Sequence, residues 1–114
     1  MIILDKKIKI DELSKIGNEV FFDDMVKAVV DVEQEKISLN AELHSDLEEM
    51  MLEAGCKQEN LYGINIKYES GEIEFDSLIN HPRNRDAGYP KGGRDVSCPI
   101  AREKIKKVVN KWIG

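Results

Sequence analysis

The sequence predicts an α+β fold: two β-hairpin-plus-helix units forming a four-stranded antiparallel sheet, with helices packed on one face and a short strand and helix at the N-terminus. Three observations predict it. Apolar and polar residues alternate over two pairs of neighbouring segments, within 28–40 and 64–79, which is the period of a half-buried strand. Each pair is followed by a stretch whose apolar residues recur at helical spacing. Strands with a single apolar face need a covering layer, and helices on that face supply it.

Taken in order, Ile2 to Leu4 reads as a short strand. Asp11 reads as the cap of a short helix bearing Leu13, Ile16 and Val20 on one face, with Gly17 as a weak point. In the first hairpin Ala28, Val30 and Val32 alternate with Val29, Asp31 and Glu33, and Ile37 and Leu39 alternate with Ser38 and Asn40. A turn centred on Gln34-Glu35 sets Val32 opposite Ile37 and Val30 opposite Leu39, matching the apolar faces. Gln-Glu is not a favoured two-residue turn, so a longer loop is the alternative.

The helix after it carries Leu47, Met50, Met51 and Ala54 on one face. Ser45 and Glu48 have the spacing of a capping box, and Gly55 stands at the stop. The second hairpin alternates Ile64, Ile66 and Tyr68 with Asn65 and Lys67, then Ile73, Phe75, Ser77 and Ile79 with Glu72, Glu74 and Asp76. A Ser70-Gly71 turn sets Lys67 opposite Glu74. The last helix opens at Pro99 and carries the stripe Ala101, Ile105, Val108, Val109 and Trp112, with Arg102, Lys104, Lys106, Lys107 and Lys111 elsewhere around it.

A chain of 114 residues fits one domain, 1–114, able to bury roughly two-thirds of its unfolded surface. No apolar run approaches the length of a membrane span, so no membrane partner is expected. Met1-Ile2-Ile3-Leu4 is followed at once by Asp5-Lys6-Lys7, which does not make a signal-peptide core, and a cytoplasmic location is the expectation. Cys56 and Cys98 have neither zinc nor CxxC spacing and are expected to be reduced.

Charge is divided unevenly. Residues 1–79 carry 8 Lys/Arg against 19 Asp/Glu, a balance of −11; residues 80–114 carry 9 against 3, a balance of +6. An anionic partner for the basic third is one reading. Internal pairing of the two parts is the other.

Residues 80–95, NHPRNRDAGYPKGGRD, show no hydrophobic periodicity and read as a long loop. Loops of this length are usually functional or disordered. The segment holds Arg83, Arg85 and Arg94, with Lys91 beside them; guanidinium suits bidentate capture of phosphate. Gly88, Gly92 and Gly93 permit close backbone approach, and Tyr89 offers a ring for a base. It is no Walker loop, since Lys91 precedes the glycine pair. The alternative is a surface loop whose arginines pair with nearby carboxylates.

Glu42, His44 and Asp46 alternate after the first hairpin and are candidate ligands for a divalent metal. The plainer reading makes Asp46 a first-turn complement to the helix dipole and Glu42 a solvated strand end. If the two hairpins lie side by side in the same sense, both exits open at one edge of the sheet and bring Glu42, His44 and Asp46 beside Arg83 and Arg85. Cys98 at a helix start is a nucleophile candidate against a plain capping role. Asp31, Glu33, Asn65, Glu72, Glu74 and Asp76 form a polar strand face, read as solvated rather than as a magnesium site.

The segments VVDVE at 29–33, ELHSD at 42–46, KQENLYGIN at 57–65, IEFDSLIN at 73–80, RNR at 83–85 and REKI at 102–105 resemble an uncharacterised domain-of-unknown-function family of small bacterial and archaeal proteins. The resemblance runs from Ala28 onward and implies one small domain, with no activity, substrate or cofactor attached. His81-Pro82 stands where the family pattern has Arg-Pro.

Three functions are compatible with these residues. The leading expectation is a non-enzymatic module that binds phosphate-bearing ligands or RNA through Arg83, Arg85, Arg94 and Lys91. A second is a metal-dependent phosphoesterase or nuclease, with Glu42, His44 and Asp46 on the ion and Arg83 or Arg85 on the phosphoryl charge. A third is a structural protein that forms a homo-oligomer through a sheet edge.

Overall fold

The computed structural model describes residues 1–16 and 24–114. Its strands are β1 (Ile2–Ile3), β2 (Met25–Asp31), β3 (Lys36–Leu39), β4 (Leu61–Lys67) and β5 (Ile73–Glu74). They form one antiparallel sheet in the order β1-β3-β2-β4-β5. The sheet thus has one strand more than the sequence predicts. The short N-terminal strand is its fifth member, pairing Ile2 with Leu39 and Ile3 with Ser38 along the otherwise open side of β3.

The helix expected around Asp11 is a 3-10 turn, Ile10–Lys15, entered from Lys9 rather than Asp11, with Leu13 buried. Gly17 and Val20 lie outside the described residues.

Both hairpins keep the expected faces but slip in register by two residues. Val30 pairs with Ile37 and Ala28 with Leu39, so Val32 to Glu35 form a four-residue turn. Ile66 pairs with Ile73, and Lys67 faces Glu72 rather than Glu74, with their side chains 3.7 Å apart. A slip of two preserves the buried face, whereas a slip of one inverts it, so periodicity cannot separate the two registers. Local chemistry selects the longer turns. Asp31 Oδ1 accepts from the N–H groups of Glu33 and Gln34 at 2.9 and 2.8 Å. Each turn then ends on a left-handed residue, Glu35 at φ 54° and Gly71 at φ 72°.

Among the described residues three α-helices accompany the sheet: α1 (His44–Glu53), α2 (Asn80–Asp86) and α3 (Pro99–Trp112). The last follows its predicted stripe, burying Ala101, Ile105, Val108 and Val109 against Ala28, Val30, Ile37, Leu39, Ile64 and Ile66. The opposite face of the sheet is also covered, which corrects the expectation of helices on one face. Val29 and Leu61 point away from α3 and meet Leu47 and Met51 of α1. The polar strand positions Asp31, Ser38 and Asn65 are therefore buried under α1 and its neighbours rather than solvated. Glu33 and Glu72 remain exposed.

The capping box is not formed. The helix α1 begins two residues early, at His44 with Leu43 rather than Ser45 at the N-cap, and no side chain caps it. Glu48 is drawn instead to Arg83. At the other end Gly55 adopts φ 95°, while Gly55 N–H bonds Leu52 O and Cys56 N–H bonds Met51 O, closing the helix as predicted.

Candidate functional site

The first seven residues of the predicted 80–95 loop are helical. This helix, α2, is invisible to hydrophobic periodicity because its buried face is polar: Asn80, Arg83 and Asn84, at i, i+3 and i+4. Asn80 replaces a strand partner. β5 pairs with β4 only at Asn65 and Ile66. At Gly63 the Asn80 side chain takes over, its Oδ1 accepting the Gly63 N–H and its amide donating to the Gly63 carbonyl, both at 2.8 Å. The same amide reaches Phe75 O and Arg94 O. Position 63 is closely packed: a Cβ there would lie 2.5 Å from Ser77 Oγ.

Arg83 is the residue the sequence reading places most differently. It is buried, donates from Nε to Leu61 O at 3.1 Å and pairs through Nη2 with Glu48 at 3.0 Å. It completes the β4 edge and ties α2 to α1, and it does not face solvent. Asn84 holds the return of the chain, donating to Gly93 O and Asp95 O and accepting from Ser97 N–H.

The hairpins are not side by side in the same sense. Since β2 and β4 are antiparallel neighbours, the exits from β3 and β5 run in opposite directions. Arg83 therefore rises toward Leu61, away from the start of α1. Contact with that start is restored by the returning chain, where Asp76 bridges Asp95 in antiparallel fashion and Ser77 N–H bonds Arg94 O. This brings back Arg94 and leaves Arg85 and Lys91 exposed elsewhere.

The result is a cleft of about 190 Å³ lined by Lys27 of β2, Leu43, His44 and Ser45 at the start of α1, Ser77, Leu78 and Ile79 after β5, and Arg94. Arg94 Nε lies 2.9 Å from Asp76 Oδ1 in a half-exposed pair. Lys27 and Arg94 bring two cationic side chains to the cleft, and the positive end of α1 adjoins them. Ser45 and Ser77 add hydroxyl groups.

His44 is 6% exposed and its Nε2 lies 2.8 Å from Ile64 O. A carbonyl only accepts, so Nε2 carries the proton. Burial lowers the pKa to about 4, only partly offset by that hydrogen bond, and Lys27 pushes it the same way as burial. The imidazole is neutral at pH 7.

The three candidate metal ligands are not brought together. Glu42 and Asp46 are exposed on the outer side of the segment, while His44 turns inward to the sheet. Among the described residues no three His, Cys, Asp or Glu side chains gather around a common point. Cys98 occupies the N-cap position of α3, its carbonyl accepting from Arg102 N–H at 3.1 Å and its side chain making no cap bond. No described helix is long and apolar enough to cross a membrane.

Of the predicted binding residues, the cleft collects Arg94 and His44. It adds Lys27, Ser45 and Ser77, which sequence reasoning did not assign to a ligand. Lys27 stands one residue before the alternation that starts at Ala28, and the structure extends β2 back to Met25 and pairs Lys27 with Asn65. A family model described as "Protein of unknown function (DUF5674)" matches residues 2–112. No curated protein and no solved structure matches the chain.

Proposed function

The chain belongs to the DUF5674 family, whose description carries no activity, and from its own geometry we propose that it is a binding module for a small phosphate-bearing ligand seated in the Lys27–Arg94 cleft. One observation carries this reading: Lys27 and Arg94, brought from separate parts of the chain, line one cleft with Ser45, Ser77 and the start of α1. Free N–H groups in a first helical turn and guanidinium together suit phosphate. The Asp76 carboxylate holds Arg94 in place before the ligand arrives and shares it afterwards.

This moves the proposed ligand site from the arginine-rich loop as a whole to Arg94 alone. Arg83 is committed to Glu48 and Leu61. Arg85 and Lys91 remain exposed outside the cleft, with Tyr89 near them in sequence. A polynucleotide ligand would engage them as well, with a steeper salt dependence.

Calorimetric titration with inorganic phosphate at low ionic strength tests the reading. Binding weakened at least fivefold by Arg94→Ala and by Lys27→Ala, and little by Lys91→Ala, is the expected result. An absence of phosphate binding, or binding indifferent to Arg94 and Lys27, would overturn it.

A further inference from the structure

We infer that the phosphate-bearing ligand is a monoester with an aliphatic chain, its head group beside Lys27 and Arg94 and its chain laid across Leu43 and Leu78. The inference rests on the anion-binding reading above and deepens it. Leu43 and Leu78 are 55% and 69% exposed, and both line the cleft that holds the two cations. A single exposed leucine is unremarkable on any surface. Here two come from separate elements, the entry to α1 and the segment after β5, and half-buried Ile79 joins them in the lining.

Size sets the arrangement. A volume of about 190 Å³ is room for about six waters, taking each at its share of the liquid. That accommodates a head group, and the open cleft lets a longer chain extend along Leu43 and Leu78. Composition sets the kind of chain. Among the described residues the lining holds Leu43, Leu78 and Ile79 and no Phe, Tyr or Trp on which a nucleobase would stack. Charge complementarity places the phosphate at Lys27 and Arg94, and the apolar rim places the aliphatic part.

The test is a titration series with methyl, butyl and octyl phosphate below their micelle concentrations, alongside phosphatidylcholine vesicles containing phosphatidic acid. Each fully buried methylene raises affinity about fourfold, so butyl phosphate is expected to bind at least tenfold tighter than methyl phosphate. In the Leu43→Ser/Leu78→Ser variant, whose changes sit at exposed positions, the butyl-to-methyl ratio falls toward one. Binding independent of chain length overturns this inference and leaves the anion-binding reading standing. Failure of every phosphate to bind overturns both. Binding to vesicles but not to soluble alkyl phosphates overturns the inference in favour of a bilayer surface.

Discussion

Arg83 and Glu48 form a buried ion pair, Nη2 to Oε2 at 3.0 Å, across 35 positions of sequence and between two helices. Their side chains are 6% and 14% exposed. Removing one partner of such a pair strands the other charge. Arg83→Ala is expected to destabilise the fold by about 3 kcal/mol, with Glu48 uncompensated and Leu61 O left without its donor. Arg83→Lys costs less but is not silent, because one ammonium cannot reproduce the guanidinium fork. Urea denaturation at constant m-value checks both, and phosphate affinity should stay unchanged in the lysine variant.

The histidine in the cleft predicts a pH dependence. The folded pKa of His44, about 4, lies below its ordinary value of 6.5. The unfolded chain therefore binds the proton first, and stability contributed by the neutral ring is full above pH 6.5 and lost as pH falls toward 4. The loss approaches about 3 kcal/mol at its largest. A His44→Gln variant, which retains a donor for Ile64 O without titrating, should show a flatter unfolding free energy over that window. Equal slopes for the two proteins would contradict the assignment.

Close packing at Gly63 makes a second stability prediction. An added Cβ would sit 2.5 and 2.6 Å from Ser77 Oγ and Cβ and 3.0 Å from Ile79 Cγ1. Gly63→Ala is expected to cost about 1–3 kcal/mol through overpacking. Ser77→Gly in the same chain should recover part of that cost, and a double-mutant cycle by thermal denaturation measures the coupling.

The first turn contains an avoidable strain. Glu35 occupies the left-handed region at φ 54° while its carbonyl accepts from Trp112 Nε1 at 2.7 Å. Left-handed backbone costs a non-glycine residue about 1–2 kcal/mol, and glycine's greater unfolded freedom takes back about 0.5–1. Glu35→Gly keeps the carbonyl and is expected to stabilise by roughly 0.5–1 kcal/mol, read as a rise in melting temperature.

How much of this was legible depends on which signal each element relies on. Val30, Leu39, Ile64 and Ile66 announce strands because apolar burial has a period, and α3 announces itself for the same reason. The hairpin registers escaped because a two-residue slip leaves that period unchanged, and Asp31 chose between the registers through hydrogen bonds that no pattern of apolar residues encodes. The helix α2 escaped for a stronger reason: its inward residues, Asn80, Arg83 and Asn84, are those that a surface loop would also use. Arg83 looked like a ligand for an external anion because a sequence does not display Glu48 facing it. For the cleft, Arg94 and His44 were legible by residue type. Ser77 was hidden within strand alternation and Lys27 lay just before the alternation that starts at Ala28, so their place in the cleft becomes evident only once the strands are placed.

The side-chain hold on α2 also sets an order of assembly. Seven residues do not sustain a helix in isolation, and the partners of this one, Gly63, Leu61 and Glu48, lie on β4 and α1. The helix can close only after those elements have met, and it is expected to open before them. Its release frees the chain that carries Ser77 and Arg94. In native-state hydrogen exchange, amides of 77–97 should therefore open at lower free energy than those of β2, and an occupant of the cleft should slow them selectively.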